Sequence, residues 1–126
     1  MIMKESLNEL AKKFHKFQID AGFTDSNVTQ RLMLVVSEVS EAFEAYRKGK
    51  YADIEGFEAG IQAPFKIEFK EAFEDNIKDS LEDEIADSII RLLAFCGENN
   101  IDIEKHVELK YEYNQLRGFK YGGKKF

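Results

Sequence analysis

Apolar residues recur along this chain at intervals of three and four, the period of helices with one face turned inward. Leu7, Leu10, Ala11, Phe14 and Phe17 predict a first helix over residues 7–21. Ser6 with Glu9 reads as its capping box and Gly22 as its stop. A second helix is predicted over 28–48, with Asp25 or Ser26 as cap and Gly49 behind it. Leu32, Val35, Val36, Val39, Phe43 and Tyr46 make one buried face of that helix, and Leu34, Glu38, Glu41 and Ala45 an adjacent one. A third helix is predicted over 79–99, with Leu81, Ile85, Ile89, Leu92 and Cys96 in line. Ala86, Ile90, Leu93 and Ala94 extend its apolar surface nearly all round, which predicts burial on several sides, including against another subunit. A fourth helix is predicted over 103–116, capped by Asp102.

Between the second and third helices, residues 50–78 are acidic, aromatic-rich and broken by Gly56, Gly60 and Pro64. They read as a long connection with one short helix near 66–75. Residues 118–126 are glycine-rich and basic and read as a flexible tail. The whole is an all-α fold, a four- to five-helix bundle forming one domain over 1–126.

Composition agrees with this class. Apolar residues make up 44% of 126, enough for a core, and one proline with no tryptophan favours helix. The single Cys96 forms no disulfide within the chain and reads as a core thiol in a reducing, cytoplasmic setting. There is neither a run of about 18 apolar residues nor a signal-peptide pattern, so no membrane partner is expected. A net charge of −6 argues against a nucleic-acid polymer as partner. The distribution is uneven. Lys110, Arg117, Lys120, Lys124 and Lys125 face a single acid, Glu112, in the last stretch. A basic tail on an acidic body suits a phosphate-bearing ligand bridged to the acids by metal, although a solvated Lys-rich terminus has the same composition.

The candidate chemistry lies in two acidic pairs, Glu38/Glu41 and Glu84/Asp87, each three residues apart inside a helical segment. That spacing puts both carboxylates on one side of a helix, with Cβ atoms roughly 5–6 Å apart. Two such helices face to face would gather four carboxylates, a cluster whose repulsion and desolvation a hard divalent cation relieves. A set of carboxylates without Cys or His suits Mg²⁺, with Mn²⁺ as a possible substitute, rather than Zn²⁺. His15 and His106 stand outside any Glu-x-x-His motif and read as surface or partner residues. A single acidic pair fits a solvated helix face equally well. The joint pattern, followed by Lys110, Asn114 and Arg117 on one side of the fourth helix, points further. Arg91, one turn beyond Asp87, could orient that acid or make a surface ion pair.

Ser37-Glu38-Val39-Ser40-Glu41-Ala42 and Glu82-Asp83-Glu84-Ile85-Ala86-Asp87-Ser88-Ile89-Ile90-Arg91 resemble the ExxE…ExxD signature of the MazG-like all-α nucleoside triphosphate pyrophosphohydrolases. The stretch 110–117 and the ending Gly122-Gly123-Lys124-Lys125-Phe126 are similar to a MazG-type C-terminus. The resemblance implies a helical bundle assembled as a homodimer or homotetramer through helix packing between subunits. It implies Mg²⁺ held by Glu38, Glu41, Glu84 and Asp87, and Mg²⁺-dependent hydrolysis of a nucleoside triphosphate to monophosphate and pyrophosphate, as in nucleotide pool sanitation. Lys110 and Asn114 would contact phosphate or sugar, and Arg117 with Lys124 and Lys125 would hold phosphates. The general base would be Glu41 or Glu38. Phe14, Phe17, Gln18 and Phe23 are candidates for the nucleobase, although Phe14 and Phe17 read better as core. The segment between Glu41 and Glu84 is longer than the family's usual connection, which bears on base selectivity. The competing expectations are a non-enzymatic helical oligomerisation or adaptor module, and a narrower phosphohydrolase for dUTP, dCTP or phosphoribosyl-ATP.

Overall fold

The computed structural model describes residues 3–25 and 27–126, and among them it is all-helical, with no strand. The helices are α1 (Leu7–Asp20), α2 (Val28–Arg47), α3 (Ile54–Ile61), α4 (Phe69–Asn76), α5 (Leu81–Glu98), α6 (Ile103–Leu116) and a single turn, α7 (Lys120–Gly123). None of the described helices is long and apolar enough to cross a membrane. The chain divides into two units. One holds residues up to Thr24 together with Leu93–Phe126, and the other holds Asp25–Leu92, so the division falls inside α5.

In the first unit, Leu10, Ala11, Leu93 and Cys96 form a buried cluster, with Phe14, Ile101 and Ile103 packed against it. Gly97 lets α1 come close, since a Cβ there would meet the carbonyl oxygen of Ala11 and, at 2.7 Å, its carbonyl carbon. Asn8 joins α1 to the start of α6. Its backbone N–H donates to Glu104 Oε1 (2.9 Å), and the Glu104 N–H donates back to Asn8 Oδ1 (3.3 Å). The cap of α1 is Ser6, whose hydroxyl accepts from the Glu9 N–H. Asp102 caps α6 in the same way through the Lys105 N–H. Two members of the expected α1 stripe do not reach the core. Leu7 and Phe17 are exposed, Phe17 by 71%. The tail, expected to be flexible, carries one turn in which Lys120, Tyr121, Gly122 and Gly123 all have positive φ.

In the second unit, α2 is capped by Asn27 rather than by Asp25, and Ser26 lies outside the described residues. Asn27 and Gln30 exchange side-chain and backbone hydrogen bonds in a complete capping box. In the connection between α2 and α5, the one short helix expected near 66–75 is α4, and α3 is a second helix that was not expected. In α3, Asp53 Oδ1 accepts from the Gly56 N–H. Gly56, which reads as a breaker, serves packing, because a Cβ there would meet the capping carboxylate of Asp53 and, at 2.7 Å, Asn76 Oδ1 of α4, whereas at Gly60 a Cβ would make only ordinary contacts. The insert is tied down at both ends. The Asp53 N–H donates to the Asn76 carbonyl, and the Leu81 N–H donates to the Lys50 carbonyl, each at 2.9 Å. This second bond sets the start of α5 beside the end of α2.

The buried side of α2 also differs from the expected one. Arg31, Val35, Glu38, Ala42 and Ala45 are buried, at alternating spacings of four and three. Leu32, Leu34, Val36, Val39, Phe43 and Tyr46 are exposed. On α5, Ile85, Ile89 and Leu92 are likewise exposed, while Glu84 and Ser88 are buried. Small side chains at 42 and 45 and polar ones at 38, 84 and 88 therefore take inner positions beside Val35, and most of the bulky apolar residues of α2 face outward.

Candidate metal centre

Because α5 begins where α2 ends, the acids of the two helices meet in antiparallel register. Glu38, Glu84 and Asp87 each place one carboxylate oxygen within 4.8 Å of the others. Glu41, one turn further along α2, lies outside that trio but lines the same cleft as Glu84. All four residues line one cleft of about 640 Å³, within the usual range of small-ligand sites. The four acids expected from sequence are thus brought together.

Their electrostatics follow from the crowding. Glu84 is 5% exposed. Its carboxyl is pushed up to about 8, first by burial and then by the hydrogen bonds and charges of Glu38 and Glu41. Asp87 is also raised, by burial and by the Glu38 charge, with the Arg91 charge opposing. Near neutral pH the cluster therefore retains a proton that a cation would displace.

Arg91 does not take Asp87 as its hydrogen-bond partner. Its Nε donates to Glu38 Oε1 at 2.9 Å, crossing from α5 to α2. The N-terminus of α5 adds a feature not anticipated from sequence. Asp79 and Asp83 place carboxylate oxygens within 4.8 Å of one of Glu84, forming a second acidic trio that shares Glu84 with the first. The Asp79 N–H donates to Asp83 Oδ2, and Ser80 Oγ accepts from the Asp83 N–H, so this corner is held by its own backbone. The Asp79/Asp83 spacing of four was the legible signal.

Insert residues also line the cleft: Phe69, Lys70 and Phe73 from α4, and Lys78 after it. A second cleft, of about 410 Å³, shares Glu41, Asp79 and Glu84 with the first and is lined also by Lys48 and Lys50. Among the described residues neither metal-capable group includes a histidine. Cys96 is buried in the first unit, as expected of a core thiol, and burial raises its pKa.

Lys110, Asn114, Arg117, Lys124 and Lys125 belong to the first unit, whereas the acids belong to the second. Within their own unit, Lys110 Nζ lies 5.0 Å from the Tyr113 ring centroid, and the Arg117 guanidinium lies 4.3 Å from that of Tyr121. Asn114 Oδ1 is buried without a hydrogen-bond partner. Lys124 and Lys125 are exposed. Phe14 packs on the core of that unit, while Phe17 and Phe23 are exposed.

The site belongs to a class defined by its chemistry, an all-carboxylate cluster between two helices that could hold a metal ion. No protein-family model, curated protein or solved structure matches this chain.

Proposed function

We propose that this chain is a MazG-like, Mg²⁺-dependent nucleoside triphosphate pyrophosphohydrolase. The observation that carries the reading is the convergence of Glu38, Glu84 and Asp87 on one point, with Glu41 lining the same cleft. The donor set fits Mg²⁺: it is all oxygen, without His or Cys, and it crowds three carboxylates whose mutual repulsion a divalent cation relieves. Bound there, Mg²⁺ would supply positive charge against the phosphates and an acidified water.

The chain's own residues have distinct tasks in this reading. Glu38, Glu84 and Asp87 hold the cation. Glu38 accepts from Arg91 and belongs to the metal-capable trio, whereas Glu41 stands outside that trio, so Glu41 is assigned to take the proton of the attacking water. One water adds across the α–β anhydride, its oxygen joining phosphorus as the bridging bond breaks. The nucleoside monophosphate and pyrophosphate then leave. Lys48, Lys50, Lys70 and Lys78 are cations of the same unit lining the clefts at the acids, available to the phosphates.

Assembly as a homodimer or homotetramer is part of the proposal. It is supported by the outward Val39, Phe43, Ile85 and Ile89. Light scattering should return at least twice 14.6 kDa; a monomeric mass would refute it.

The decisive assay incubates purified protein and Mg²⁺ with a panel of nucleoside and deoxynucleoside triphosphates and measures pyrophosphate. Release is expected from at least one, and Glu38→Gln or Asp87→Asn should abolish it with the helical circular dichroism signal intact. Full turnover in both variants would sink the assignment.

A further inference from the structure

We infer that the insert helix α4 reads the substrate, with the rings of Phe69 and Phe73 forming the platform on which the nucleobase stacks. The inference rests on the pyrophosphohydrolase reading and extends it to the part of the substrate that the acids do not touch.

The cleft that contains the four acids is also lined by Phe69 and Phe73. Their rings lie nearly parallel, 13° apart, with centroids 6.3 Å from each other. Phe57 of α3 meets Phe69 edge-on at 5.2 Å and 85°, a contact that helps fix the Phe69 ring. Phe69 is nevertheless 65% exposed, and with Phe73 and Ile90 it supplies the apolar part of the cleft's lining. Seven carboxylates and two lysines line the same space, which makes it strongly negative. Such a cleft repels a bare triphosphate and accepts it only as a metal complex at the acids. The base, being uncharged and flat, has an aromatic surface available at Phe69 and Phe73. Stacking of this kind accepts any base, because every base has a π-face. It discriminates a nucleotide from a bare polyphosphate rather than one base from another.

The chain contains no tryptophan. Phe69→Trp therefore introduces a single indole at the proposed platform. Titration with α,β-methylene analogues of the four common nucleoside triphosphates in Mg²⁺ should quench its fluorescence saturably, and inorganic tripolyphosphate in Mg²⁺ should not. In calorimetry, Phe69→Ala should weaken the analogues on the order of tenfold and leave tripolyphosphate unchanged, with the helical signal retained.

If Phe69→Ala binds the analogues as the wild type does, or loses analogue and tripolyphosphate equally, the platform is refuted. The same holds if the wild type binds tripolyphosphate as tightly as every analogue. In that case the metal–phosphate site stands while the base platform falls. Wild-type protein that binds neither ligand in Mg²⁺ overturns the pyrophosphohydrolase reading and the platform with it.

Discussion

Arg91 Nε donates to Glu38 Oε1 at 2.9 Å, so one guanidinium on α5 holds the carboxylate of α2 that stands nearest the other acids. The bond brings a positive charge into hydrogen-bond contact with the cluster. It partly offsets the repulsion among Glu38, Glu84 and Asp87.

Arg91→Ala should therefore destabilise the metal-free protein by about 1–2 kcal/mol, because a buried carboxylate loses a charged partner that is itself partly exposed. The same change should tighten Mn²⁺ binding, since the cation then meets an uncompensated Glu38. Urea unfolding with and without Mn²⁺ checks both effects. An equal loss of stability in the two conditions would show that Arg91 serves packing alone.

Glu84 predicts a pH dependence of definite sign. Its carboxyl is raised from 4.5 to about 8 in the folded chain, by burial and by Glu38 and Glu41. The folded state thus binds a proton that the unfolded state has released, and stability falls as pH rises through that window. The contribution is full below about 4.5 and is lost as pH passes about 8. Asp87, raised in the same direction under the charges of Glu38, Glu41 and Asp83 and opposed by Arg91, adds to the trend. Thermal midpoints of metal-free protein should decline between pH 5 and 9, and Glu84→Gln should remove most of the slope. Mn²⁺ affinity should rise over the same interval, because binding displaces the proton. A flat wild-type profile would contradict the strained carboxyl.

Gly97→Ala tests the close approach of α1 and α5 in the first unit. Alanine improves helix propensity by up to about 1 kcal/mol. Its methyl would however meet the Ala11 carbonyl and, at 3.1 Å, His15 Cβ. Backbone atoms of two helices must then separate, an overpacking cost of about 1–3 kcal/mol or more. Net destabilisation is expected in chemical denaturation, and a stabilised variant would refute the contact.

The long helices were legible because their signals are local. Period, caps and stops placed α1, α2, α5 and α6 within a residue or two, and Asp102 and Ser6 cap as their side chains suggest. The insert was harder to read. Gly56 and Gly60 look like breakers in isolation, but Gly56 is a helical residue whose missing Cβ makes room for Asn76, twenty positions away in the chain. No local pattern carries that information.

The spacing of Glu38 with Glu41, and of Glu84 with Asp87, is a property of the sequence, because helical geometry alone puts each pair on one side. That the two pairs form one cluster depended on the tertiary structure, in which the Lys50–Leu81 bond brings the end of α2 against the start of α5. Periodicity also tells which residues share a face, but not which face packs. Ala42 and Ala45 turned inward and Val39 and Phe43 outward, since small side chains let helices approach where bulky ones hold them apart. The tertiary structure likewise decided that Arg91 crosses to Glu38 and that Phe69 and Phe73 line the acidic cleft. Contacts between residues far apart in sequence depend on how the helices are laid together, which single-helix periodicity does not encode.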